Sequence, residues 1–190
     1  YRDDQTRVAQ LRMGYEVPSL ATAEHARDPY ALMMLASVLD GGEGARLAEN
    51  LVRGSGVAAA AGAGYNGMTR LDTEFSLFGV PADGDIEAVE NGLREAVAQL
   101  RREPVSPEEL ERARSQLLAD HLFELDSVFY QAMQVGMLET TGAGWETLAA
   151  FEDNIRALTA EDLEAAAQRY LQPERLTVGI MQPAEGGEQE

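Results

Sequence analysis

Two segments with strand periodicity lie back to back in the middle of this chain, with helical periodicity on both sides. That order restricts the fold more than any other feature. Residues 57–65 (VAAAAGAGY) are small and apolar, and residues 70–80 (RLDTEFSLFGV) alternate strongly. Asn66-Gly67 between them is a hairpin signal, placed in a connection spanning residues 66–69. Side chains as small as those of 57–65 suit a strand that something else approaches closely.

The flanks complete the pattern. Residues 6–17 alternate, with Leu11, Met13, Tyr15 and Val17 on one face, and Pro18 stops that strand. Ser19 to Arg27 reads as loop, and Asp28-Pro29 places an N-cap before a first-turn proline. The helix that follows carries Tyr30, Met33, Met34, Ser37 and Val38, and Asp40-Gly41-Gly42 ends it. A second amphipathic helix runs from near Gly44 to Arg53.

After a turn at Pro81 to Asp85, Ile86, Val89, Leu93, Val97 and Leu100 keep a helical stripe to Arg102. Ser106 and Glu109 form a capping box for the next helix, whose face carries Leu110, Ala113, Leu117, Leu118, His121 and Leu125. Apolar spacing resumes through Val128, Met133 and Val135 to Leu138, and Trp145 to Ile155 reads as one short helix. Thr159 to Asp162 caps the last helix, which reaches Tyr170, and Leu176 to Met181 is a final strand. Helices grouped between strands rather than alternating with them indicate an α+β fold, a largely antiparallel sheet with helices on one face. The tail 184–190 is acidic and expected to be disordered.

Composition removes most chemistry. The 190 residues hold 33 acidic and 15 basic side chains, a net charge of −18, and no cysteine. Such a balance excludes neutralising a row of phosphates or docking on an anionic membrane, so neither nucleic acid nor membrane is an expected partner. No apolar run reaches the roughly 18 residues of a membrane span. Without cysteine there is no disulfide, thiolate metal site or cysteine nucleophile. All basic residues are arginine, so lysine nucleophiles and Schiff bases are absent as well. The chain opens at Tyr1 with no basic segment followed by an apolar run, so any signal peptide is expected upstream.

Val17-Pro18-Ser19-Leu20-Ala21, then Leu39-Asp40-Gly41-Gly42, Arg46-Leu47 and Leu51-Val52-Arg53 follow one another in a characteristic order. Ala63-Gly64-Tyr65, Pro104 to Leu110, Leu125-Asp126-Ser127, Gln131 to Gln134, Thr159 to Asp162 and Tyr170 to Thr177 continue it. Together these segments resemble the C-terminal domain of the pitrilysin/insulinase-type (M16) zinc peptidases, over residues 6 to 182. The resemblance implies the fold shared with mitochondrial processing peptidase (the LuxS/MPP-like metallohydrolase fold), with residues 1–183 as the domain. It also implies two α+β halves closing as a clamshell, one carrying zinc on an inverted His-x-x-Glu-His motif, the other zinc-free.

This chain resembles the zinc-free half. His121-Leu122-Phe123-Glu124-Leu125 is nearest to the motif, and Leu125 stands where the second imidazole is needed. No metal is therefore assigned to this chain, and zinc is expected on the partner domain. His121 reads as a structural helix histidine and His25 as a solvated loop residue. Arg53 aligns with an arginine that the family uses, with a tyrosine about six residues later, in substrate binding. Here the tyrosine position is Ala59. Tyr65 shares its face only if the strand is regular, and lies about 20 Å away.

Arg53 either forks onto a substrate carbonyl or caps carbonyls at its own helix end. Arg46 reads as a helix-surface ion-pair residue, Glu108-Glu109 as first-turn chemistry, and the methionines as core filler. The expected function is the non-catalytic half of a clamshell zinc metalloendopeptidase, partnered by a zinc-bearing N-terminal M16 domain or subunit and enclosing an unfolded peptide. The other reading is a structural or interaction subunit with no proteolytic role. Closest resemblance to bacterial forms, with the lack of cysteine, points to the periplasm.

Overall fold

The computed structural model describes residues 2–3 and 7–183, with side chains described from residue 7. The expected acidic tail at 184–190 lies outside the described residues. The elements are β1 (Arg2–Asp3), β2 (Gln10–Val17), α1 (Asp28–Asp40), a π-helix (Ala48–Gly54), β3 (Ala58–Tyr65) and β4 (Thr73–Pro81). Then come α2 (Ile86–Arg102), α3 (Pro107–Leu125), α4 (Val128–Thr141), α5 (Glu146–Ala149), α6 (Phe151–Ala157), α7 (Ala160–Tyr170) and β5 (Leu176–Pro183).

The strands form one sheet in the order β1-β5-β2-β4-β3. β1 runs parallel to β5 and every other pair is antiparallel, as expected. Register places Met13 opposite both Leu77 and Val178, and Tyr15 opposite Phe75 and Leu176. Because side chains alternate along a strand, this pairing puts Leu11, Met13, Tyr15, Val17, Phe75 and Leu77 on one buried face. α1, α2 and α7 cover that face with Leu32, Leu35, Leu39, Val89, Leu93, Leu100 and Leu163. Each such side chain contributes about 1.5–3 kcal/mol by leaving water. α2 is the cleanest helix: Asp85 accepts from the Ala88 N–H at 3.0 Å, and Val89, Leu93, Ala96, Val97 and Leu100 are buried at helical spacing.

Several local expectations are corrected. Asp28 is the first residue of α1, not its N-cap, and its carboxylate accepts from Arg169 and Tyr170 of α7 instead. The hairpin connection spans residues 66–72 rather than 66–69. Asn66 Oδ1 accepts from the Met68 N–H and the Gly67 carbonyl accepts from the Leu20 N–H, so these bonds replace a tight turn. Residues 145–155 are not one helix. Ala150, at φ −89° and ψ −2°, breaks them into α5 and α6.

The second helix is π-wound. The Ser55 N–H reaches the Asn50 carbonyl at 3.0 Å, and a Cβ on Gly54 would stand 2.7 Å from the Glu49 carbonyl oxygen, so glycine is required there. The α4 stripe does not face the core. Val128, Met133 and Val135 are exposed, whereas Gln134 and Leu138 are buried, so Met133 is not core filler.

Candidate functional site

Arg53 occupies the last turn of the π-helix and keeps about half of its side chain exposed. Its guanidinium donates to the Glu43 carbonyl, and a second contact to Glu49 stretches to 3.9 Å. A surface pair of that length contributes little. The helix-end reading is corrected in one respect. The carbonyl that Arg53 meets precedes the π-helix, so Arg53 closes the Gly-rich entry to the helix rather than its exit.

The strand that follows departs from regularity where the tyrosine was sought. Ala58 pairs with Pro81 and Ala60 with Val80, so Ala59 is the extra residue of a β-bulge and is exposed. The six-residue alternation from 59 to 65 is therefore interrupted. Tyr65 points to the helix side, where its hydroxyl donates to the Pro18 carbonyl at 2.7 Å. Burial pushes the Tyr65 phenol well up, with Tyr170, Asp28 and Asp72 adding to it. Tyr65 is a structural tyrosine, and the structure does not bring it to Arg53. β3 is the terminal strand of the sheet, and Asp40 holds its Ala63 N–H at 3.1 Å. Desolvation raises the Asp40 carboxyl, and that hydrogen bond acts against it.

Opposite the helices the sheet presents glycine and polar residues beside the exposed ring of Phe78. Gly14, Gly179, Ser76 and Thr177 floor a shallow groove of about 630 Å³, with Arg12, Glu16, Glu74 and Arg175 among its walls. Gly179 leaves backbone approachable on this face, whereas the Glu74 carboxylate lies over Gly14, 3.0 Å from where a Cβ would stand.

His121 sits on α3 with its ring against Phe151, centroids 4.4 Å apart. Leu125, one turn on, faces the same region. Among the described residues no cluster of three His, Cys, Asp or Glu side chains has the geometry to hold a metal. The donor set does not fit a zinc centre. His25 is an exposed loop residue.

Arg46 is not a helix-surface partner. It crosses to α3 and grips Glu109 through Nε–Oε1 at 2.6 Å and Nη2–Oε2 at 3.0 Å. Sequence reasoning missed the surface of α3, α4 and α5. Leu122, Phe123, Val128, Phe129 and Trp145 are all more than half exposed there. They border or neighbour an apolar groove of about 580 Å³ lined by Leu118, His121, Leu122, Val135, Trp145 and Leu148. The available signal was an α4 with apolar residues around most of its circumference, more than one buried face can absorb.

The family model for the peptidase M16 inactive domain matches residues 1–117. A protease from Helicobacter pylori superposes with a TM-score of 0.85 at 19% identity, covering 96% of this chain and 43% of that one. The inactive peptidase domain of a Bordetella parapertussis protein gives 0.83 at 21% identity, covering 100% and 97%. The periplasmic protease PqqL from Escherichia coli gives 0.70 at 16% identity, covering 96% and 20%. This chain thus spans less than half of the first and third proteins and nearly all of the second. No curated protein matches the sequence. The structural likenesses establish the shared fold, and with the match over residues 1–117 the chain belongs to the inactive-domain family of the M16 peptidases.

Proposed function

We propose that this chain is the non-catalytic half of a two-part zinc metalloendopeptidase. Its partner is a zinc-bearing M16 domain or subunit, on which a glutamate activates metal-bound water. This half encloses an unfolded peptide and excludes bulk water. The observation that carries the reading is the replacement in the helix segment nearest to the zinc motif: one imidazole at His121, with Leu125 where a second is required, and no three-ligand cluster among the described residues. The backbone left approachable at Gly179 supports a role facing an extended substrate.

Arg53 orients the substrate backbone, donating to a peptide carbonyl with the part of its fork that the Glu43 carbonyl leaves free. The half-exposed guanidinium supports this assignment. Arg53 acts without a tyrosine partner, since position 59 is alanine. Ala59 also favours a second reading, a structural subunit whose substrate contact is no longer used. The periplasm is the proposed compartment; among the described residues no helix is long and apolar enough to cross a membrane.

Purification alone and with the polypeptide bearing His-x-x-Glu-His tests both readings. The pair is expected to hold one zinc and to cleave an unfolded peptide, while the chain alone holds none and cleaves nothing. Stoichiometric zinc in this chain, or undiminished cleavage when it is left out, overturns the proposal. Arg53→Ala in the pair is expected to slow cleavage; unchanged kinetics make Arg53 structural.

A further inference from the structure

The apolar groove beside Trp145 has walls made of helix. Leu118, Leu122 and Leu125 stand at helical spacing on α3, and Trp145, Leu148 and Ala149 face them from α5 and its entry. From Leu118 to Leu125 the α3 wall is about 10 Å long, at roughly 1.5 Å per residue. The middle of α3 spends its backbone N–H and C=O groups inside the helix, so an extended chain laid here leaves its own unpaired. A helical occupant arrives with those groups satisfied. It meets the groove with apolar side chains at i, i+3 or i+4 and i+7.

The exposed apolar area is more than a monomer ordinarily leaves in water. At about 200 Å² per ring, Phe123, Phe129, Tyr130 and Trp145 keep on the order of 500 Å² of aromatic surface exposed. The largest apolar patch of a typical monomer is about 300–600 Å², and Leu122, Val128, Met133 and Val135 add to the rings here. With them the face approaches the roughly 800 Å² per partner that a stable complex buries.

Charge identifies the partner. Between Arg114 and Arg156 the sequence has no lysine or arginine. Asp120, Glu124, Asp126, Glu139 and Glu146 in that span are all exposed. Glu139 accepts from the Trp145 N–H at 2.8 Å, which fixes a carboxylate at that end of the groove. Arg156 lines the groove but is paired with Glu152 at 2.8 Å. A second copy of this chain would set acids against the same acids, with −18 on each molecule. We propose that this groove docks a cationic amphipathic helix of a partner polypeptide, its apolar stripe between Leu122 and Trp145 and its lysines or arginines over the acidic rim. The partner is a folded helix, unlike the unfolded peptide of the proposed function, and the inference does not depend on that function.

Trp145 is the single tryptophan, so its emission reports the groove. The probe is a tryptophan-free peptide of about 18 residues, long enough to hold a helix, with leucines at i, i+4, i+7 and i+11 and lysines on both flanks. A saturable blue shift is expected when the chain is titrated in about 0.1 M sodium chloride. Raising the salt to about 1 M, or replacing the lysines by glutamates, is expected to weaken binding by about tenfold or more. Leu122→Ser alters an exposed side chain, so Tm is expected to hold while affinity falls about tenfold. Val135→Ser is expected to show the same loss should Leu122→Ser fail to fold. No saturable shift, equal binding of the glutamate peptide or of one broken by two central prolines, or unaltered affinity in a folded variant overturns the proposal. So does a dimer, seen by sedimentation, that buries Trp145 and strengthens as salt rises, since a second copy then covers the face.

Discussion

Arg46 and Glu109 hold each other by two parallel hydrogen bonds, 2.6 Å and 3.0 Å long, and join the entry of the π-helix to the first turn of α3. The same Glu109 carboxylate accepts from the Ser106 N–H at 2.9 Å, closing the capping box. One side chain thus starts a helix and ties it to a distant segment. The Arg46 hydrogen bond, chiefly, lowers the Glu109 carboxyl from its ordinary 4.5 to about 2.

That shift fixes an acid response. Above pH 4.5 the carboxylate is ionised in both folded and unfolded chains and the pair contributes in full. Between about 4.5 and 2 the unfolded chain takes up the proton first, so stability falls as pH falls, by the order of 2–3 kcal/mol. Glu109→Gln retains an acceptor for Ser106 and removes the charge. Denaturant melts are expected to show a loss of about 2 kcal/mol at pH 7 and a flatter profile below pH 4.5.

A second tether behaves in the opposite sense. Asp28, buried at the start of α1, accepts from the Tyr170 hydroxyl at 2.7 Å and from Arg169. Burial first, then the hydrogen bond to Asp28 and its charge, push the Tyr170 phenol up to about 12 from 10. Below pH 10 the phenol is neutral in both states and its contribution is complete. Between 10 and 12 the unfolded chain ionises first, so stability declines as pH rises. Tyr170→Phe is expected to cost about 1.5–3 kcal/mol at pH 7 and to remove part of the alkaline slope, read by tyrosinate absorbance against unfolding.

These two acids show what a sequence discloses. The Ser106–Glu109 box is local, three residues apart, and its spacing alone announces it. Asp28 before Pro29 has the same local signature of a helix start, yet its partners stand 141 and 142 residues away, and that packing overrides the cap. α2 was legible because one narrow stripe is apolar and the rest is charged, polar or small. α4 was not. With apolar residues around most of its turn, periodicity does not say which side docks, and the side that docks buries Gln134. The position of Arg53 followed from the motif order. The π-winding that carries it did not, since it answers to packing against β3 and to the space around Gly54.

Exposure on α3 and α4 predicts tolerance. Phe123 and Phe129 are each more than 70% exposed, so neither fills a core space. Phe123→Ser and Phe129→Ser are expected to change unfolding free energy by no more than about 0.5 kcal/mol. Gly79→Ala, a change of one methyl, is expected to cost more, about 1–3 kcal/mol. Its Cβ would stand 2.4 Å from Cγ1 of the fully buried Val89, where β4 meets α2. Thermal melts of the three variants give the comparison, and a Gly79→Ala melt equal to the parent's contradicts the packing.

Charge sets the last expectation. With 33 acidic and 15 basic residues, the chain carries −18, and the folded state crowds that charge more than the unfolded one. Salt also weakens the favourable ion pairs, but those such as Arg102–Glu95 and Arg156–Glu152 are more than half exposed, where each contributes under about 1 kcal/mol. The Arg46–Glu109 pair is only 14% and 20% exposed and loses less to screening. Net repulsion therefore dominates the response. Raising sodium chloride from about 0.1 M to 1 M shortens the Debye length from about 10 Å to 3 Å and is expected to raise Tm. Chloride rather than sulfate keeps surface exclusion from producing the same rise. A Tm that is flat or falls across that range shows that the acidic surface does not strain the fold.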